Sequence, residues 1–496
     1  MARLLAVAVI VLSGAAGCRH RADPGIDRRR GGIVHAILDD RESPFYLRRR
    51  AAPTPELPVG VFDSGTGGLT VLEAIVTLDA FNNATHEPGA DGRPDFASEA
   101  FVYLGDQANM PYGSYGEEGN LALLEEHILK DAQFLLGARY HPSRAARRPR
   151  RDKRPVKVIV IACNTATAYG KRAVEALLSR AGLDVRVLGV IDAGARAALA
   201  ALSRREGSVG VLATVGTVAS GGYPRALSAL GGERVQVFQQ GGLGLAGAID
   251  GKPELLRPGA RRPRAGYRGP AVDPALLRRG RYGLDWSVGR VLHDGPRDDP
   301  RRVQLNSVEN YIAYHLVSLL EQLRLRARER PVPPLSALIL GCTHYPFYRE
   351  AIRRRLRWLR DYREGGRHLY RGLMAPEVAL VDPARGVARE LHRHLVRARL
   401  LGRSRLDRSA FYISVPNRDN PRVRAQLDGA GELRHRYKYG RRAGEIQEYV
   451  KRVPFSRDSV PAEAVERVRR GTPRVFELIR TYNRGCAHVQ PGQRIE

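Results

Sequence analysis

Val158-Ile159-Val160-Ile161-Ala162-Cys163-Asn164-Thr165 and Ala337-Leu338-Ile339-Leu340-Gly341-Cys342-Thr343-His344 are built on one plan: an apolar run, a small residue, a cysteine, then small polar residues. An apolar run without polar alternation suits a strand covered on both faces. Such strands belong to parallel sheets flanked by helices. Each cysteine then sits at the carboxyl end of a parallel strand, the edge at which open α/β sheets gather their ligands. Two such halves facing one another would present both thiols to one cleft.

The pattern extends in both directions. Val59-Gly60-Val61-Phe62 reads as a strand running into Asp63-Ser64-Gly65-Thr66-Gly67-Gly68, after which Leu69, Leu72 and Ile75 recur at helical spacing. Further strands are expected at 101–104, 156–162, 185–190, 209–212, 235–238, 335–341 and 378–381. Helices are expected over about 117–136, 193–204, 307–324 and from 383 to about 395. Strands alternating with helices predict an α/β protein. The expected architecture is two pseudo-symmetric parallel-sheet α/β domains facing a central cleft, with basic insertions. The first domain covers 58–185 and is completed by 376–396; the second covers 186–375. Within the second, 252–306 carries thirteen Lys/Arg against six Asp/Glu with many Gly and Pro, and reads as an inserted basic loop or small subdomain. Residues 19–57 read as a linker, 365–373 as a loop, Phe411 to Val415 as a late edge strand, and 397–496 as a basic C-terminal extension.

With 43% hydrophobic residues in 496, the chain can build real cores, which excludes wholesale disorder. The net charge of +30 is mostly arginine and lies largely in the loops and insertions. It reads as solvated surface, with contact to nucleic acid or an anionic membrane as the competing reading. The four cysteines, Cys18, Cys163, Cys342 and Cys486, are spaced for neither a disulfide framework nor a zinc site. No metal and no cofactor is expected. At the N-terminus, Arg3, the apolar run Leu4 to Leu12 and the small residues Ser13 to Gly17 have the form of an export leader. Ala15-Ala16-Gly17-Cys18 resembles a lipobox, so residues 1–18 are expected to export the chain and to offer Cys18 for lipidation, with a cytoplasmic location as the alternative. No later segment reads as transmembrane.

A thiolate is a competent general base, and the free N–H groups of a following helix would favour its charge. Both Cys163 and Cys342 precede expected helix starts. Taken singly, each has a bland reading as a buried structural thiol. As a matched pair they suit a reaction that removes a proton from one face of a carbon and returns one to the other. The remaining motifs suit a small zwitterion. Asp63 and Ser64 bring a carboxylate and a hydroxyl to a strand-to-helix turn, although Asp63 reads equally well as a helix cap. Thr165 and Thr343 offer donors beside the cysteines, and Pro111-Tyr112-Gly113 brings backbone close to a ligand or is merely a turn. His344 either adjusts the local proton balance or is a hydrogen-bonded core histidine.

Taken in order, these motifs resemble the aspartate/glutamate racemase family. GVFDSGTGGLT ending at Thr70, YLGDQANMPYG at 103–113, IACNTATA at 161–168, LATVGTVASGGY at 212–223, LGCTHYP at 340–346 and VDPA at 381–384 all fit it, with glutamate racemase as the nearest likeness. The resemblance implies cofactor-independent interconversion of L- and D-glutamate, with Cys163 and Cys342 as the two acid/base residues. It implies that Asp63, Ser64, Tyr112, Gly113, Asn164, Thr165, Thr343 and His344 surround the substrate. It also implies a role in supplying D-glutamate for peptidoglycan, which fits poorly with export. The family's glutamate after a Cys-Pro segment has no direct counterpart; Gln239 to Leu243 stand there and Asp250 takes the glutamate's place. Competing functions are racemisation of aspartate or another small acid, and a binding protein on a retired racemase scaffold. Candidate partners are glutamate, a second copy of the chain, and nucleic acid or an anionic membrane met by the basic insertions.

Overall fold

A computed structural model describes residues 32–48, 51–202 and 206–496. The proposed leader and Cys18 lie outside the described residues. Two sheets organise the chain. The first is ordered β14-β13-β2-β1-β3-β4 and is built from β1 (Val59–Asp63), β2 (Phe101–Gly105), β3 (Val158–Ile161), β4 (Arg186–Gly189), β13 (Ala410–Pro416) and β14 (Val450–Pro454). All its neighbours are parallel except β13 and β14. The second sheet is ordered β12-β9-β5-β6, all parallel, from β5 (Gly207–Ala213), β6 (Val235–Gly241), β9 (Leu335–Gly341) and β12 (Met374–Val381).

The apolar runs do what burial on two faces requires. In the first sheet Val61, Tyr103 and Val160 point into one core while Phe62, Leu104 and Ile161 point into another. The second sheet repeats this, with Val211 and Ile339 on one side and Leu212 and Leu340 on the other. Each fully buried aliphatic side chain contributes about 1.5–3 kcal/mol of transfer free energy, so a register slip of one residue in β1 or β9 would be strongly opposed.

Several expectations are corrected. The segment Ile33–Leu38, expected within a linker, is a helix whose Ile33, Ala36 and Ile37 join the first unit's core with Phe45 and Leu47. The helix expected from about 117 is broken at Gly119, whose φ of 70° is left-handed, and restarts as Leu121–Leu136 with Asn120 capping the Leu123 N–H. The region 252–306 is an ordered subdomain: a helix Pro274–Arg278 capped by Asp273 and an antiparallel pair of β7 (Val291–Asp294) and β8 (Arg302–Leu305). Leu255, Tyr282 and Leu305 bury it against the helix Val308–Glu329, and Arg281 reaches Glu321 at 3.0 Å. The loop at 365–373 contains a minimal pairing of β10 (Arg363–Glu364) and β11 (Arg367–His368).

The largest correction concerns 397–496. Its strand β13 is internal, parallel to β2, and β14 is the edge. Phe411, Ile413, Val453, Val475, Phe476 and Ile479 fill the same core as β1, so this segment completes the first unit. Arg469, Arg470, Arg474 and Arg484 occupy the solvent faces of two short amphipathic helices, Ala462–Gly471 and Pro473–Gly485, whereas Arg441 and Arg452 are buried. The helix Pro383–Arg397 also lies on that core, whereas β12, which precedes it, belongs to the second sheet.

Candidate active site

Because their neighbours are parallel, β1, β3, β5 and β9 end at comparable edges, and the residues that follow them meet between the two sheets. β1 delivers Asp63, β3 leads to Cys163, β5 to Thr214 and β9 to Cys342. The contact is close: a Cβ on Gly67 would stand 2.5 Å from Thr343 Oγ1 and 2.8 Å from His344 Cε1, so this turn approaches the other unit only without a side chain. Thr70 Oγ1 also donates to the Thr343 carbonyl at 3.3 Å.

Asp63 is completely buried. Its Oδ2 accepts from the N–H groups of Gly65 and Gly68, at 3.1 and 3.0 Å, and Oδ1 accepts from Thr343 Oγ1 at 3.4 Å. The capping reading and the site reading are thus both met by one carboxylate. Burial raises its pKa, partly countered by His344 and these N–H donors.

Cys163 caps the helix Asn164–Ala181, with Sγ accepting from the Ala166 N–H at 3.4 Å. Burial and then the Asp63 carboxylate push the thiol well up, against the pull of the Ala166 N–H and the Ser64 hydroxyl; charge on Cys342 acts in the same upward sense. Asn164 Oδ1 accepts from Tyr223 OH at 2.6 Å, and Thr165 Oγ1 lies 2.9 and 3.1 Å from the hydroxyls of Thr214 and Thr217.

Cys342 departs from expectation. No α-helix starts directly after it: Pro346 stands in a 3₁₀ turn, Tyr345–Tyr348, and the helix begins only at Arg349. In place of helix N–H groups, Cys342 Sγ lies 3.6 Å from His344 Nδ1. The other ring nitrogen, Nε2, lies 3.1 Å from Asp250 Oδ2, within ion-pair distance. Burial alone would lower the histidine's pKa; Asp250, then Cys342, overcome it and hold the ring well above its usual value. Burial would raise Asp250, and His344 with Arg467 outweigh that and keep its carboxyl low. The site therefore holds an imidazolium between a sulfur and a carboxylate.

Two of the expected residues act differently from the rest. The Tyr112 hydroxyl is shared between Asp106 and Asp131, at 2.7 and 2.6 Å, so it anchors the loop inside the first unit, and only the backbone of the turn is left to meet a ligand. Gly113 packs against Thr214, with 3.1 Å between a Cβ there and the threonine Cβ, and joins it in lining a cavity of about 180 Å³ at the mouth between the units. The insert and the C-terminal segment also reach this mouth, through Arg268 and His435, which lie 2.6 Å apart. Sequence reasoning missed Thr214, Thr217 and Tyr223 as partners of Asn164 and Thr165, although the 212–223 motif carried them. It also missed Arg467, which no local signal marks. The wider hollows, of about 930 and 770 Å³, hold neither cysteine, although Thr70, Ile249 and Arg467 line the first of them.

Two buried thiols at the facing edges of two parallel sheets, one beside a carboxylate and one beside an imidazolium, define a two-sided acid/base site. Similarity to known proteins gives the family. The chain is 30% identical over 342 residues to a glutamate racemase of Thermus thermophilus, covering 69% of this chain and 80% of that one. It is 27% identical over 328 residues to a glutamate racemase of Limosilactobacillus fermentum, covering 66% and 76%. A solved glutamate racemase of Bacillus anthracis is 23% identical over 72% of this chain and 86% of that one, with a TM-score of 0.41. No family model matches. The chain belongs to the glutamate racemase family.

Proposed function

We propose that the protein interconverts L- and D-glutamate by proton transfer between Cys163 and Cys342. The observation that carries this reading is the pair itself: two buried thiols from the two sheets, close enough for charge on Cys342 to act on Cys163, with Asp63 and Thr343 joined across the gap. In one direction Cys342 Sγ, as thiolate, takes the α-proton; an S–H bond forms and the C–H electron pair stays on carbon. The Cys163 thiol then gives its proton to the opposite face and becomes the thiolate. The reverse reaction exchanges the roles. The electron pair left on carbon is steadied by fixed dipoles in a site closed to water. Asn164, Thr165, Thr343 and the 63–68 turn line the place for the carboxylate groups of the substrate. Supply of D-glutamate for peptidoglycan follows from this reading.

The test is incubation of the purified chain with L- or D-glutamate in deuterated buffer without added cofactor. Racemisation with deuterium gained at the α-carbon is expected. Absence of both on glutamate, with activity on aspartate or another small acid, would reassign the substrate.

We also propose that the exposed arginines of 252–306, among them Arg261, Arg262, Arg297 and Arg301, meet an anionic surface. Binding to DNA or anionic vesicles that weakens steeply with salt is expected. Export through residues 1–18 is a separate proposal, checked by fractionating cells that express the chain and its Cys18→Ala variant.

A further inference from the structure

Arg467 comes from the C-terminal segment, on the helix Ala462–Gly471, whose Ala464 and Val468 pack in the first unit's core. Its guanidinium crosses to the second unit. It donates to Asp250 Oδ1 at 2.5 Å and to the Ile249 carbonyl at 3.0 Å, and touches Thr66 Oγ1 at 3.5 Å. The side chain is 17% exposed and Asp250 only 6%. The Asp250 carboxylate is thereby divided, one oxygen facing Arg467 and the other His344. A carboxylate with one partner can turn; one gripped by a guanidinium from behind presents its second oxygen in a fixed direction.

We propose that Arg467 is a positioning residue for proton transfer at Cys342: it fixes Asp250, and through Asp250 the His344 ring beside the sulfur. The inference rests on the reading of the site as a racemase. Its electrostatic logic is a chain of alternating charges, guanidinium, carboxylate, imidazolium and sulfur. Two cations, the Arg467 guanidinium and the His344 ring, flank the Asp250 carboxylate, and the ring is the one that stands beside Cys342. The arginine also ties the turn at Thr66 to Asp250, so the two units and the histidine are held by one side chain. The charged groups that face His344 are Asp250 and Cys342 from its own unit, Asp63 from the end of β1, and Arg467 behind Asp250, with Lys252 acting on Asp250.

The experiment compares wild type with Arg467→Met and Arg467→Lys in both reaction directions across pH. Without the guanidinium, Asp250 acts on His344 alone and the ring keeps its proton to higher pH. The Met variant is expected to lose about 10- to 100-fold in kcat, the range for outer-shell partners, with KM little changed. The alkaline limb of its profile should move to higher pH, and Lys should restore most of the rate. A Met variant with wild-type kcat and an unmoved profile would overturn the proposal. So would a Lys variant as impaired as Met with an unmoved profile, since packing alone would then explain the loss. If Met does not fold, Arg467→Gln takes its place. If wild type fails to racemise glutamate, the functional reading fails by itself. The positioning role is then read from NMR titration of His344, where an unchanged ring in the variant overturns it.

Discussion

Cys163 caps a helix of 18 residues and has a carboxylate, Asp63, for a neighbour. Cys342 is followed by a 3₁₀ turn and has an imidazolium, His344, backed by Asp250 and Arg467. The two strands before them share a plan, and the two sulfurs occupy like positions in their sheets, yet their electrostatic company is opposite. This difference is useful to a racemase. One group must start with a proton and the other without, and burial with Asp63 favours the thiol form of Cys163, while the second sulfur faces a cation. Symmetry of fold gives access to both faces of a carbon; asymmetry of surroundings gives the two sulfurs different neighbours.

The comparison can be broken most directly at the sulfurs. Cys163→Ala and Cys342→Ala should each lower racemisation by at least about 100- to 10,000-fold, the usual contribution of a positioned acid or base. Polarimetry from either enantiomer measures it, and a variant that kept the wild-type rate would remove its sulfur from the mechanism. Next comes Gly67→Ala. The new methyl would meet Thr343 and His344, forcing the units apart, and a misplacement of that order costs about 100-fold in turnover. Circular dichroism should show the fold intact.

Asp250→Asn sharpens the second half of the comparison. A loss of about 10- to 100-fold is expected. The sign is fixed by the ring: His344 is held protonated by Asp250, so removing the anion lets it lose its proton at lower pH. The alkaline limb of the rate profile should move to lower pH, opposite to the shift expected for Arg467→Met. Smallest is Ser64→Ala. The Ser64 hydroxyl favours the Cys163 thiolate, and its loss leaves burial and Asp63 less opposed. Turnover in the direction that uses Cys163 as base should fall about two- to tenfold, the equivalent of one hydrogen bond of about 0.5–1.5 kcal/mol. Initial rates from the two enantiomers, compared with wild type, check it.

The α/β class, the two sheets and both cysteines were legible in the chain because continuous apolar runs ending in Cys-Asn-Thr and Cys-Thr-His leave few alternatives: strands covered on both faces, with the reactive residue at their ends. Asp63 and His344 were legible for the same reason, as they lie beside those ends. The environment of each sulfur was not legible. Cys342 was expected at a helix start, but Pro346 and the 3₁₀ turn put an imidazole there instead. Tyr112 was expected beside the substrate through the backbone of its turn; that its hydroxyl is taken by Asp106 and Asp131 was not legible. The C-terminal hundred residues gave no sustained period, since their strands and helices are short and rich in arginine; only packing against β2 and the β1 core shows that they complete the first unit. Local pattern thus determined which residues could carry the chemistry, because burial and strand period act over a few neighbours. The tertiary structure alone decided how each is charged, because Asp250 and Arg467 reach His344 from segments far apart in the chain, and electrostatic coupling depends on distance in space.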